Sequence, residues 1–104
     1  MRHEILNLEN VDTNNVIKNF VNFYHPLGRF TDITGSINVF VFEEYYFRIE
    51  SNLAVTIIFE QKGNNALSIH AIVAGGSHGV FGFSWGAEKS MLNKLKKFFL
   101  GESI

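Results

Sequence analysis

The stretch that decides the fold is INVFVFEEYYFRIESNLAVTIIFEQKGNNALSIHAIV, residues 37–73, in which apolar side chains recur at alternate positions. Such a period of two indicates β-strands that bury one face, because successive side chains of a strand point to opposite sides of a sheet. The odd-numbered apolar residues are Ile37, Val39, Val41, Tyr45, Phe47, Ile49, Leu53, Val55, Ile57, Phe59, Leu67, Ile69, Ala71 and Val73. The sequence therefore predicts an antiparallel sheet whose odd-numbered face is buried.

If the buried residues are all odd-numbered, the residue pairs that can face each other across each hairpin are also constrained. Directly opposed residues point to the same face, so the numbers of paired residues should sum to an even value. This predicts that Ile49 pairs with Leu53, with residues 50–52 as the loop between them. It also predicts an odd number of loop residues at the next turn, around Gly63. The same alternation of apolar residues predicts a further strand at Phe81 and Phe83.

Two amphipathic helices and a short strand surround this region. The first helix has an apolar stripe, Asp12 or Thr13 as its cap, and Pro26 and Gly28 at its end, with residues 28–35 as a loop. The stripe of the first helix is Val16, Ile17, Phe20, Val21 and Tyr24, and that of the second is Met91, Leu92, Leu95, Phe98 and Phe99. Residues 2–9 are predicted to form a strand whose inner face is unclear.

Together these elements predict one α+β domain over residues 1–104. It consists of a single antiparallel sheet with both helices on one face, in the order β-α-β-β-β-β-α. This order is similar to that of TATA-binding-like and helix-grip folds, an analogy that concerns the fold and not the function.

Composition excludes several classes of function. The 104 residues include no cysteine, so thiol catalysis and thiolate zinc sites are excluded, and the four histidines show no ligand spacing. A net charge of -1 gives no reason to expect nucleic acid or a membrane as a partner. The N-terminal MRHEILNLEN is too charged for a signal-peptide core, which indicates a cytoplasmic protein. We expect no metal and no cofactor.

The glycine-rich stretch VAGGSHGVFGFSWG, residues 73–86, is the feature most similar to a motif. It contains no Walker pattern, and Ser77 and His78 are adjacent, so their side chains point apart in an extended chain. We interpret the glycines as structural, permitting a turn between strands and a strand-to-helix corner. These glycines are Gly75, Gly76, Gly79, Gly82 and Gly86.

Residues 36–100 resemble a small bacterial family, mostly from Gram-positive species, known only as a domain of unknown function. The resemblance rests on an E-x-Y strand, a GGS turn, an aromatic strand and a G-x-E helix start. The matching positions here are Glu43 and Tyr45, Gly75 to Ser77, Phe81 and Phe83, and Gly86 and Glu88. The resemblance implies no activity, since the family has none assigned.

Glu43 suggests a binding pocket, because it is the charged residue on the predicted inner face of its strand. A carboxylate that faces a core is costly unless it is paired or hydrated. Either a bulge at residues 43–44 returns it to solvent, or it lines a pocket between sheet and helices. In the second case Glu43, Tyr45, Ile57 and Phe59 are the candidate site for a small, largely apolar ligand.

The even-numbered face suggests a different function. Its apolar members are Phe40, Phe42, Tyr46, Ile58 and Ile72, enough to form a contiguous patch. This predicts a homodimer or a contact with another protein. Because no acid-base pair or nucleophile constellation is present, we assign no catalytic residue, and we expect a small-molecule-binding module or an interaction module rather than an enzyme.

Overall fold

The computed structural model describes residues 1–46, 51–75 and 85–101. Its elements are β1 (Arg2–Glu9), α1 (Thr13–Tyr24), β2 (Gly28–Thr31), β3 (Ile37–Tyr46), β4 (Ser51–Gly63), β5 (Ala66–Ala74) and α2 (Trp85–Leu100). The strands form one five-stranded antiparallel sheet in the order β1-β5-β4-β3-β2. The predicted α+β class and the element order β-α-β-β-β-β-α are confirmed.

One strand lies where a loop was predicted. Residues 28–31 form β2, which pairs with β3. The turn that follows β2 holds these two strands together. In that turn the carboxylate of Asp32 accepts hydrogen bonds from the Ile37 N–H at 3.0 Å and the Thr34 hydroxyl at 2.7 Å. The loop prediction is therefore wrong for residues 28–31. The strand predicted at residues 81–83 lies outside the described residues.

The ends of both helices have residues suited to those positions. The Asp12 carboxylate accepts a hydrogen bond from the Asn15 N–H at 3.2 Å and so caps α1. His25 ends this helix in the left-handed region, with φ at 51°. Gly101, with φ at 71°, follows α2, a conformation that glycine adopts without a steric penalty.

The helices cover one side of the sheet, here called the inner face, and the parity of the inner residues changes between strands. In β4 and β5 the odd-numbered residues are buried, as predicted. In β3 the even-numbered residues 38, 40 and 42 are buried and residues 44 and 46 are half-buried, because Tyr46 pairs with Ser51 and Glu44 with Leu53. The predicted pairing of Ile49 with Leu53 is therefore wrong, and so is the predicted burial of the odd-numbered residues of β3. Those residues, Ile37, Val39, Val41, Glu43 and Tyr45, lie on the opposite side, here called the outer face.

The turn between β4 and β5 keeps the predicted parity through a bulge. Gln61 pairs with Leu67, so residues 62–66 separate the partners, which is an odd number of residues as predicted. The register shifts between Gln61 and Gly63, and the tight turn itself is Asn64 and Asn65. Asn65 has φ at 61°, a conformation that asparagine tolerates better than most residues.

Aromatic rings from both layers form the centre of the core. Phe20 of α1 is fully buried, and its ring centroid lies between 5.4 and 5.9 Å from those of Phe40, Phe42, Phe59 and Phe99. Ring pairs at these separations add to the stabilisation that burial alone gives. The even-numbered phenylalanines of β3 thus occupy the inner face because the helices supply aromatic partners there.

Candidate functional site

The four residues of the predicted pocket lie on opposite faces of the sheet. Ile57 and Phe59 are fully buried beneath the helices. Glu43 pairs with Ala54 on the outer face, and Tyr45 on that face is 58% exposed. The pairing of residues 37–46 with β4 shows no register shift, so the exposure of Glu43 comes from the parity of β3 and not from a bulge. The prediction that these four side chains surround one pocket is wrong.

The residues of the predicted interaction face are also divided. Phe40 and Phe42 are 1% and 3% exposed and belong to the core. Tyr46 lies on the helix side, where its hydroxyl is 3.7 Å from the sulfur of Met91. The prediction that these three aromatic residues point outward is wrong, because the even-numbered residues of β3 face the helices. Ile58 and Ile72 lie on the outer face and are half-buried.

The predicted structural glycines fall mostly outside the described residues. Gly76, Gly79 and Gly82 belong to that part of the chain, and Gly75 directly follows β5. Gly86 is the second residue of α2, and a Cβ atom added there would meet nothing within 4 Å. A close approach of another element therefore does not require glycine at position 86.

The outer face carries an apolar surface in two adjacent rows of paired residues. Through the register, Phe30, Val39, Ile58, His70 and Ile5 form one row, and Val41, Thr56, Ile72 and His3 form the next. Three of the apolar members are strongly exposed: Phe30 at 62%, Ile5 at 50% and Val41 at 42%. We call the set Ile5, Phe30, Val39, Val41, Ile58 and Ile72 the open face. It is uncharged, and both helices pack on the other side of the sheet.

A small polar network borders the open face at one end. Glu60 lies 3.2 Å from the Nε2 atom of His70 and 3.3 Å from the ammonium of Lys62. The hydrogen bonds from His70 and Lys62 hold the pKa of the Glu60 carboxyl below its usual range. The ring of His70 also stacks on that of His3, with centroids 5.8 Å apart. The carboxylate at this border thus has its own partners within the subunit.

A second candidate site is a cleft of about 330 Å³ between α1 and the hairpin of β2 and β3. We call it the hairpin cleft. It is lined by Asn14, Ile17, Lys18, Val21, Asn22, Arg29, Gly35 and Asn38. The helical residues recur at intervals of three and four and so share one side of α1. Sequence analysis missed this cleft because it depends on β2, which was predicted as a loop.

A third group of polar residues lies where α1, β3 and α2 meet. The Lys94 ammonium is 2.7 Å from the carboxylate of Glu44 and 5.9 Å from the ring centroid of Tyr24. The Tyr24 hydroxyl is buried and has no hydrogen-bond partner among the described residues. Burial, followed by the charge of Glu44 and the nearby Tyr46, raises the pKa of Tyr24 to about 12. A phenol with this pKa stays protonated at neutral pH, which does not suit a base or a nucleophile.

The described residues present no metal centre. Within residues 1–46, 51–75 and 85–101, no group of three or more His, Asp or Glu side chains could hold a metal ion. Neither helix in this part of the chain is long and apolar enough to cross a membrane. Ser77 and His78 lie outside the described residues.

Comparison with known proteins identifies one family. A family model described as "Family of unknown function (DUF6054)" matches residues 29–100. The match runs from β2 to the end of α2, so it covers four of the five strands that the structure describes and excludes α1. No curated protein and no solved structure matches the chain. The family therefore supports the sequence-based assignment to a domain of unknown function and names no activity.

Proposed function

This chain belongs to DUF6054, a family of unknown function, and we propose its function from the geometry of the structure. The protein is an interaction module that forms a homodimer through the open face. The observation that supports this most directly is the exposure of Phe30 beside Val39 and Ile58, in a row of the outer face that carries no Asp, Glu, Lys or Arg. Contiguous apolar surface of this kind is rare on monomers and is typical of interfaces.

The size of the outer face, with the open face at its centre, fits a second copy of the chain. Its five strands are 4 to 13 residues long and spaced about 4.8 Å apart, so the whole outer face covers roughly 600 Å². Two such faces stacked on each other bury about 1,200 Å², the lower end of the range for specific protein complexes. Sheets pack face to face about 10 Å apart, so a sandwich of two copies is a common geometry.

The charge distribution also favours self-association. A two-fold dimer brings the same patch of each subunit together, so like charges near its centre would oppose it. The central rows contain no carboxylate, ammonium or guanidinium group. Glu60 at the border is already paired with Lys62 and His70. Stacking two copies therefore buries no unpaired carboxylate in the central rows.

The test compares two phenylalanines of similar exposure on opposite sides of the molecule. Phe30 on the open face is 62% exposed, and Phe23 on α1 is 59% exposed. Sedimentation equilibrium of the full chain should show a dimer that Phe30→Ser weakens about tenfold or more, since burying an apolar side chain contributes roughly 1.5–3 kcal/mol. Phe23→Ser should leave the dimer unchanged. A wild-type chain that stays monomeric at millimolar concentration, or equal weakening by both substitutions, would contradict the proposal.

The other function predicted from the sequence, small-molecule binding, would require a different site from the predicted one. The residues first assigned to a pocket do not meet, whereas the hairpin cleft combines an apolar floor with polar walls. This cleft lies on the helix side of the sheet, away from the open face.

A further inference from the structure

We propose that the hairpin cleft binds a small organic phosphate, held by Lys18 and Arg29. This site is separate from the open face and does not depend on the dimer. The charges that line the cleft, the contacts that hold Arg29 and Asn38, and the size of the space support this site.

In the part of the chain that the structure describes, the lining of the cleft has two positive charges and no negative one. Lys18 and Arg29 are its charged members, and the other polar side chains are the amides Asn14, Asn22 and Asn38. Lys18 is also the single charged residue of α1, so no acidic neighbour on its own helix offsets it. Among the described residues, neither Lys18 nor Arg29 forms an ion pair. An anion would thus meet uncompensated positive charge.

Arg29 is positioned by an aromatic ring rather than by a carboxylate. Its guanidinium carbon lies 5.2 Å from the ring centroid of Phe40, its paired neighbour across β2 and β3. A guanidinium that stacks on a ring keeps its N–H groups free at the edge, and this planar fork matches the oxygens of a phosphate.

Asn38 supplies a fixed donor in the wall of the cleft. Its side chain is buried at 7% exposure, and its Oδ1 atom accepts a hydrogen bond from the Thr31 hydroxyl at 2.8 Å. That bond orients the Nδ2 group as a donor, of which one N–H faces the carbonyl of Gly35 at 3.4 Å. An amide nitrogen has two N–H donors, so the second is available to a ligand.

The carboxylate of Asp32, in the turn between β2 and β3, does not line the cleft and forms no ion pair with Lys18 or Arg29. It is occupied by the hairpin turn, where it accepts from Thr34, Ser36 and the Ile37 N–H. These bonds, the one from the Thr34 hydroxyl foremost, keep the pKa of Asp32 below its usual range. Asp32 therefore serves to fix the turn between β2 and β3.

The space and the charge indicate the class of ligand. About 330 Å³ is near the lower limit for pockets that hold small molecules. A phosphate monoester carries a charge of about −1.5 to −2 at neutral pH, which matches one guanidinium and one ammonium. Ile17 and Val21 form an apolar floor on which a short carbon skeleton can pack. A small monoester with an apolar or ring-shaped organic part meets both requirements.

The test is an NMR titration of the ¹⁵N-labelled full chain with phenyl phosphate. Inorganic phosphate, phenylacetate and phenol are titrated in parallel at matched ionic strength. We expect saturable shift changes at the amides of Lys18 and Arg29 and at the side-chain amide of Asn38, with phenyl phosphate the tightest ligand. Inorganic phosphate should shift the same signals more weakly, and phenol should leave them unchanged.

Variants separate this site from a general effect of charge. Lys18→Gln and Arg29→Gln should each weaken phenyl phosphate about tenfold or more, because hydrogen bonds to charged groups contribute strongly. Asn38→Asp, which keeps the shape of the side chain, should abolish binding by repulsion. Lys89→Gln makes the same charge change on exposed α2 and should have no effect. Absence of saturable shifts, equal weakening by Lys89→Gln, or phenylacetate binding as tightly as phenyl phosphate would overturn the proposal.

Discussion

The Oε1 atom of Glu60 lies 3.2 Å from the Nε2 atom of His70, a contact that joins β4 to β5 on the outer face. Lys62 adds an ion pair to the same carboxylate, and the two partners lower the pKa of Glu60. A carboxyl whose pKa is lowered by folding stabilises the protein above its ordinary titration range, and this stabilisation is lost as the pH falls through the lowered value. We therefore expect Glu60→Gln to reduce the urea midpoint at neutral pH and to have no effect in strong acid.

The matched control for this pH dependence is Glu43→Gln. Glu43 is also an exposed outer-face carboxylate, but it has no hydrogen bond or ion pair with the described residues. Its replacement should leave the difference between neutral and acidic urea midpoints as in the wild type. The same pH profile for the two variants would contradict the role given to the contact between Glu60 and His70.

Tyr24 allows a prediction at alkaline pH. Its pKa rises from 10.0 to about 12 in the folded protein, with burial as the main cause. A group whose pKa is raised by folding costs no stability through ionisation below its unfolded pKa, and the fold loses stability as the pH rises from the unfolded to the folded value. Between pH 10.0 and about 12 the wild type should thus lose stability relative to Tyr24→Phe.

At neutral pH the same substitution should not destabilise the fold. The Tyr24 hydroxyl is buried without a hydrogen-bond partner among the described residues, so its removal should raise stability by about 1 kcal/mol or leave it unchanged. Tyr45→Phe is the control, since Tyr45 is 58% exposed on the outer face. Urea titrations at neutral and alkaline pH measure both effects. A loss of stability in Tyr24→Phe at neutral pH would show that the hydroxyl has a partner.

The aromatic core predicts a large difference between two residues of α1. Phe20 is fully buried among four other phenylalanine rings, so Phe20→Ala should cost about 3–5 kcal/mol. Phe23 is 59% exposed and touches the rings of Tyr24 and Phe98, so Phe23→Ala should cost about 1 kcal/mol. Chemical denaturation of the two variants, followed by circular dichroism, tests this order. Similar losses would mean that the two side chains are equally buried.

The element order could be predicted from the sequence because most of its signals were unambiguous. Asp12 at the start of α1, its stripe through Phe20, and the large apolar residues at each odd position from Leu53 to Phe59 each point to one structure. The short strand β2 could not be predicted in this way. It depends on the side-chain bonds of Asp32 in the following turn, which become visible only when the hairpin is formed.

The orientation of β3 could not be decided by alternation, because both of its faces are apolar. Val39 and Val41 alternate with Phe40 and Phe42, so either parity could have been the buried one. The structure buries the larger aromatic pair against Phe20, and the hairpin then joins Tyr46 to Ser51. The predicted pocket and interaction face both failed at this point, since a change of parity moves each side chain of a strand to the other face.

Two adjacent residues of β3 test this orientation directly. Phe42 is 3% exposed on the inner face, so Phe42→Lys would place an ammonium in the core and should prevent folding, whereas Val41 is 42% exposed on the outer face. Val41→Lys should keep the helical and strand signals of the wild type in circular dichroism. It should also lose the proposed dimer, because two lysines would meet in the centre of the stacked sheets. If Val41→Lys unfolded and Phe42→Lys folded, the odd-numbered residues of β3 would be the buried ones, as alternation alone predicts.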